Sequence, residues 1–304
     1  MKRRGLAVCL TALMILSMLG GCGTKKANET AASRNTADKT TAVETTASDT
    51  NTKETETSAA PSNLVKKGTL TYAVAATFPP FEYMKDEDYA GFDIEMGEAL
   101  AKEMGLEAEI MDMTFDGLIN ALKGGRCDII NSAMYIKPER EEQVDFVRYL
   151  TLGDTILVRT GTAEELGIAG PDDLPGKTVA VTAGAVEEMK CNELNEQFQS
   201  EGKEAINILS LPTSNDAVLA VRNSQADCMI YSSPSAAYLQ EEEPGVFDAV
   251  TTFDNDTEIG IAVRKGDTEM KEAVETALQR LVENGTYAEL MKKYNLPEEL
   301  SYFK

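Results

Sequence analysis

The sequence predicts an α/β fold built as two similar units, each a parallel-rich sheet with helices on both of its faces. Three observations predict it. Between residues 69 and 132, short apolar runs of period two alternate with segments of helical period. From Thr178 onward the alternation returns, and Asp216-Ala-Val-Leu-Ala-Val-Arg echoes Asp116-Gly-Leu-Ile-Asn-Ala-Leu, each followed by a polar turn and an apolar run holding an Asp and a Cys. The connections are short, which suits parallel strands joined by helical crossovers.

The elements follow in order. Leu70, Tyr72 and Val74 alternate with Thr71 and Ala73, giving a strand after Gly68, and Pro79-Pro80 marks a turn. Asp93 is the expected N-cap of a helix whose buried face is Ile94, Gly97, Leu100, Ala101 and Met104, ended by Gly105. Residues 108–113 read as a second strand, 116–123 as a short helix stopped by Gly124-Gly125, and 127–132 as a third strand. In the second unit, 178–182 and 227–232 read as strands flanking a helix at 216–222. Near the end, Met270, Val274, Ala277, Leu278 and Leu281 share one helical face, Gly285 stops it, and a last helix covers 287–294.

Upstream of these elements the chain has a different character. Lys2, Arg3 and Arg4 precede a nearly unbroken run of Leu, Ala, Val, Met and Ile over 5–19. This is the layout of a secretory signal, and it is short of the ~20 apolar residues of a membrane span. It closes on Leu19-Gly20-Gly21-Cys22, an aliphatic and two small residues before a Cys, as in a lipobox. A signal peptide over 1–21 is expected, with a lipid on Cys22 and an acylated new N-terminus, since two acyl chains anchor stably where one is marginal. Residues 22–62 are Thr, Ser, Ala, Glu and Lys with almost no large apolar side chain. Such a stretch cannot offset its ordering entropy, so it is expected to be a disordered tether, with the folded part held at the outer face of the cell membrane.

Composition excludes several functions. The net charge is −22, with 51 acidic against 29 basic residues, which argues against nucleic acid, whose binding needs basic clusters. The chain has no His, so a His triad, a His general base and a His metal site are absent. No metal or cofactor is expected. With Cys9 in the signal and Cys22 lipidated, Cys127, Cys191 and Cys228 remain. Cys127 and Cys228 open apolar runs and read as small core residues, while a disulfide among the three stays open.

Several stretches, taken in order, carry a resemblance: Phe78-Pro-Pro-Phe-Glu-Tyr, Gly91-Phe-Asp-Ile, Phe115-Asp-Gly-Leu-Ile-Asn-Ala-Leu, Ser132-Ala-Met-Tyr-Ile-Lys-Pro-Glu-Arg, Val144-Asp-Phe, Leu174-Pro-Gly-Lys-Thr-Val-Ala-Val, Gly260-Ile-Ala-Val-Arg-Lys-Gly and Gly285-Thr-Tyr. The chain from Gly68 to Tyr294 resembles the extracellular solute-binding proteins of the polar amino-acid ABC-transporter family. The resemblance implies a two-lobed, type II periplasmic-binding fold with two hinge strands. Lobe 1 would be 63–153 with 260–304, and lobe 2 would be 154–259. It implies a monomeric carrier of an amino acid or amino-acid-like zwitterion, closing on its ligand and docking on a permease with an ATPase partner. It implies no catalytic residue.

The resemblance also implies site residues. Arg140 matches the Arg that grips the ligand carboxylate, a role suited to a planar guanidinium. Phe78 and Phe115 match ring positions packed on the ligand, and Ser132 with the backbone of Ala133 matches polar contacts of lobe 1. Ala185 and Val186 follow Gly184 in a turn whose free amides can meet the carboxylate. Four departures bear on the ligand. Ala75 replaces an Asp, Tyr135 a Ser or Thr, Lys137 a Thr, and Ala185-Val186 a Ser-Thr pair. A fifth is the largest: Ser232 replaces the Asp that pairs with the ligand ammonium. A buried ammonium without a counter-charge is costly, so Asp256 or Glu258 is expected to supply it, or Phe78, Phe115, Tyr135 and Tyr231 to cage the cation. On these losses the expected solute is less polar than Lys, Arg or Gln. A sensory module without transport and a dehydratase-like enzyme are the alternatives.

Overall fold

The computed structural model describes residues 60–303. The signal segment, Cys22 and nearly all of the tether lie outside the described residues. No described helix is long and apolar enough to cross a membrane.

The first lobe opens with β1 (Thr69–Val74), a small hairpin sheet of β2 (Thr77–Phe78), β3 (Glu82–Lys85) and β4 (Asp88–Ala90), then α1 (Phe92–Glu103) and β5 (Glu107–Asp112). A 3-10 turn at Phe115–Gly117 leads into α2 (Leu118–Lys123), β6 (Ile129–Ile130) and the four-residue α3 (Pro138–Glu141). The long strand β7 (Val144–Arg159) crosses to the second lobe. There follow α4 (Ala163–Leu166), β8 (Thr178–Thr182), α5 (Val186–Ser200), β9 (Asn207–Leu211), α6 (Ser214–Arg222), β10 (Cys228–Ser232) and α7 (Ser233–Glu242). A second long strand, β11 (Phe247–Arg264), returns to the first lobe, which ends with α8 (Thr268–Glu283) and α9 (Thr286–Lys293).

The sheet order is β5-β1-β6-β11-β7-β10-β8-β9. The two lobes therefore share β11 and β7, which run antiparallel along most of their length. β1 is parallel to both β5 and β6, and β8 is parallel to both β9 and β10. Every residue of β1 is buried, as expected of a parallel strand covered on both faces. Leu70, Tyr72 and Val74 face a core with α1, α8 and α9 side chains, while Ala73 faces a second core with Leu118, Ala121 and Leu122 of α2. The second lobe repeats the plan. Val179 and Val181 pack with Cys191, Leu194 and Phe198 of α5, and Ala180 packs with Ala217, Val218 and Val221 of α6. Cys127, Cys191 and Cys228 are all buried as free thiols.

The β7–β11 pairing slips at three points, and the largest slip, between Phe253 and Thr257, falls opposite Gly153. This is where the strands pass between lobes. Bulges of this kind bend and re-aim a strand.

Two local expectations change. Gly91, not Asp93, caps α1, with φ of 130°. A Cβ there would stand 2.1 Å from the Phe81 carbonyl oxygen, so the first turn needs glycine. Asp93 lies inside that turn, fully buried, and its Oδ2 accepts from the Ala133 N–H (2.6 Å) and the Tyr149 hydroxyl (2.8 Å). The strand read over 127–132 shrinks to Ile129–Ile130, because Asn131 turns its side chain to donate to the Asp93 carbonyl (2.6 Å) and Ala133 takes φ of 38°.

Candidate functional site

A cavity of about 280 Å³ lies between the lobes. That is close to the small end of small-molecule sites. Lobe 1 contributes the end of β1, the hairpin, the segment after β5 and the segment after β6. Lobe 2 contributes the ends of β8 and β9 and the first residues of α5 and α6. Strand ends and helix starts converge because parallel strands all present their C-terminal ends to one edge.

Seven of the nine residues singled out as ligand contacts line this cavity: Phe78, Phe115, Ser132, Ala133, Tyr135, Ala185 and Val186. Arg140 and Ser232 stand behind its wall. Arg140 is 4 % exposed, and burial pushes its guanidinium down to about 10, so it stays charged at neutral pH. Its Nη1 donates to the Tyr135 carbonyl (2.7 Å) and its Nη2 to the Gly184 carbonyl (2.9 Å). Its guanidinium carbon sits 5.4 Å from the centre of the Phe115 ring. Arg140 thus ties lobe 1 to lobe 2. Ser232 is fully buried as the N-cap of α7, with its hydroxyl bonded to Ser235.

Other contacts close the cleft. Phe78 meets Tyr231 edge-on at 5.2 Å, Tyr83 meets Tyr238 at 5.6 Å, and the Ser214 N–H donates to Thr77 Oγ1 at 3.4 Å. Gly184, at φ of 72°, passes so near Asp116 that a Cβ would lie 3.1 Å from its Cα.

Three lining acids escaped the sequence reading. Glu82, 1 % exposed, accepts from Ser132 Oγ (2.8 Å), which itself accepts from the Ala75 N–H (3.0 Å). Glu82 Oε2 and Asp93 Oδ1 find no other partner among the described residues, and the two carboxyl groups meet each other. Burial, then the charge of Asp93, raises Glu82 well above the carboxylate range, so Glu82 holds the shared proton and donates it to Asp93. Asp93 is itself pushed up to about 7 by burial. The second acid is Glu187, 5 % exposed and raised to about 8 by burial and then by the Asp154 charge. Asp112, an exposed acid, completes the set, and among the described residues no Lys or Arg lines the cavity. Glu82 lies inside the Phe-Pro-Pro-Phe-Glu-Tyr stretch and Glu187 directly follows Val186, so adjacency to matched positions was the available signal.

The acids expected near the second hinge are elsewhere. Glu258 bonds Arg148 at 2.6 Å and does not line the cavity, and Asp256 is exposed and away from it. Asp154 lies nearer, accepting from the Tyr135 hydroxyl at 3.2 Å. Of the proposed cage, Phe78, Phe115 and Tyr135 line the cavity, and Tyr231 packs behind Phe78. The expectation of a weakly polar solute rests on Ala75 and Ser232; the largely apolar wall of the cavity also carries three carboxyl groups that this expectation does not include.

Two α/β lobes on a pair of shared strands, with a largely apolar, ring-walled cavity between them that carries three carboxyl groups, define a two-lobed solute-binding protein. Residues 70–297 match the bacterial extracellular solute-binding proteins, family 3, and the chain belongs to that family. It is 32% identical over 232 residues to the arginine-binding extracellular protein ArtP of Bacillus subtilis (strain 168), covering 75% of this chain and 86% of that one. Among solved structures, an ancestral arginine-binding protein bound to arginine is 30% identical with a TM-score of 0.69, covering 75% of this chain and 98% of that one. The ancestral amino acid-binding protein AncCDT-1, a precursor of cyclohexadienyl dehydratase, is 35% identical with a TM-score of 0.65, covering 75% and 95%. The protein is accordingly the substrate-binding component of an ABC importer for an amino acid or a related zwitterion.

Proposed function

We propose that the cleft takes an amino acid with a net positive charge, of the arginine class. The observation that carries this reading is the lining of the cavity: Glu82, Asp112 and Glu187 with no lining cation, and Phe78, Phe115 and Tyr135 as walls. A cation entering this cleft favours the charged form of acids that burial otherwise holds protonated, and the rings add cation–π attraction of roughly 0.5–2 kcal/mol each. The ligand carboxylate belongs at the start of α5, near Arg140. Closure about the Gly153 and 254–256 segments brings both lobes onto the solute, and the closed form docks as a monomer on the permease. Cys22 carries the lipid that holds the protein at the outer face of the membrane.

A thermal-shift panel tests the ligand class. L-Arginine, L-lysine and L-ornithine are expected to raise the Tm, and L-leucine, L-glutamate and glycine betaine are not. A response to leucine or betaine with none to the cationic set would overturn the reading. Cys22→Ala is expected to move the protein from the membrane fraction to the medium, and unchanged membrane retention would contradict the anchor.

Catalysis on a bound solute is a second reading, because Glu82 and Glu187 have the raised pKa values that general acids also have. We place it second because the matched relatives above are named for binding. Mass spectrometry of a bound solute separates the two readings: a carrier returns it unchanged.

A further inference from the structure

Glu187 is the second residue of α5, a buried residue that lines the cavity. Its side chain accepts from its own backbone N–H, and no other hydrogen bond or ion pair reaches it among the described residues. The charges and dipoles that act on it are those of Tyr135 and Arg140 from lobe 1, Asp154 from β7, Tyr231 from β10 and Cys191 one turn along its own helix. Arg140 is the only cation in that set; it attracts Glu187 at a distance, but its two recorded side-chain bonds go to carbonyls and it forms no ion pair with Glu187. Burial holds Glu187 largely protonated, and a cation entering the cavity that it lines would favour its charged form.

Its place in the cleft identifies that partner. Asp154 and Ser232 are register partners across β7 and β10, and Tyr231 precedes Ser232. Glu187 therefore faces the end of the cleft where the resemblance puts an acid at position 232. Ser232 itself is fully buried, engaged as a helix cap, and does not line the cavity.

We propose that Glu187 is a specificity-determining residue that supplies, from the first turn of α5, the counter-charge for the ligand's α-ammonium. This rests on the reading of the cleft as a site for a positively charged amino acid.

Titration calorimetry with two solutes tests it: L-arginine, and 5-guanidinopentanoate, which is arginine without its α-amino group. Glu187→Gln is expected to weaken arginine binding by about thirtyfold or more, as loss of one member of a buried charge pair does, and to leave the affinity for 5-guanidinopentanoate within about threefold. Glu187→Ala, a good helix residue, provides the same comparison if the amide misfolds. Equal weakening of both solutes, or unchanged arginine affinity, would overturn the assignment while leaving the proposed ligand class intact. Failure of the wild-type protein to bind either solute would overturn the proposed ligand class and this inference with it.

Discussion

Arg140 and Glu187 show how a residue's role depends on what surrounds it. The resemblance implies Arg140 as a carboxylate ligand. In the structure it stands behind the cavity wall and joins the lobes, through carbonyls of Tyr135 and Gly184. Arg140→Ala is therefore expected to cost about 2 kcal/mol or more in affinity, roughly thirtyfold, measured by calorimetry. Arg140→Lys should recover little, because an ammonium cannot span two carbonyls as a planar fork does. Unchanged affinity in either folded variant would contradict both roles.

Glu187 and Asp93 also set a pH dependence. A carboxyl group whose folded-state pKa stands above its unfolded value binds more protons when folded, so stability falls as pH rises between the two values. Glu187 is raised to about 8 and Asp93 to about 7, both mainly by burial. The ligand-free protein is thus expected to lose thermal stability as pH rises from the ordinary carboxylate range, about 4–4.5, toward 8. Glu187→Gln should flatten the upper part of that fall. A Tm that rises over the same window would contradict the burial of these groups. These carboxyl groups were hidden in the sequence because burial, which sets their pKa values and their partners, depends on residues far apart in the chain.

At the scale of elements, legibility followed the repeat of the pattern. β1, β8, α6 and α8 were readable because their apolar residues keep one period over a single layer. β7 and β11 were not, since each runs through two lobes and changes its buried surroundings midway. Asp254, Asn255 and Asp256 within β11 also look like a turn, yet they lie inside a strand at the inter-lobe slip. α5 was known only through the resemblance, because its buried face is sparse: Val186, Glu187, Cys191, Leu194 and Phe198. Gly91 belongs to this scale too. Gly91→Ala places a methyl group against the Phe81 carbonyl at a φ that suits only glycine. It is expected to destabilise the protein by about 2 kcal/mol or more, read from urea unfolding, and an unchanged midpoint would show that the α1 entry relaxes freely.

For the whole molecule, the shared strands explain how two small cores act as one binding device. β7 and β11 give the lobes a common backbone whose pairing slips opposite Gly153, and hydrogen bonds and ring contacts span the cleft. A ligand favours closure only through contacts made with both lobes together. Phe78, Phe115 and Glu82 on one side and Val186 and Glu187 on the other provide such contacts. The overall plan was legible because ordered motifs spanned the folded part. The charge balance of the cleft was not, since it is set by which acids the two lobes turn inward.

The central claim is that this cleft recognises a positively charged amino acid through carboxyl groups of both lobes. A crystal structure of the protein with L-arginine tests it most directly. The solute is expected between Phe78, Phe115 and Tyr135, with its carboxylate toward Arg140 and its α-ammonium on Glu187. Arginine bound away from this cleft, or bound within it with Glu187 turned from both cationic groups, would contradict the account.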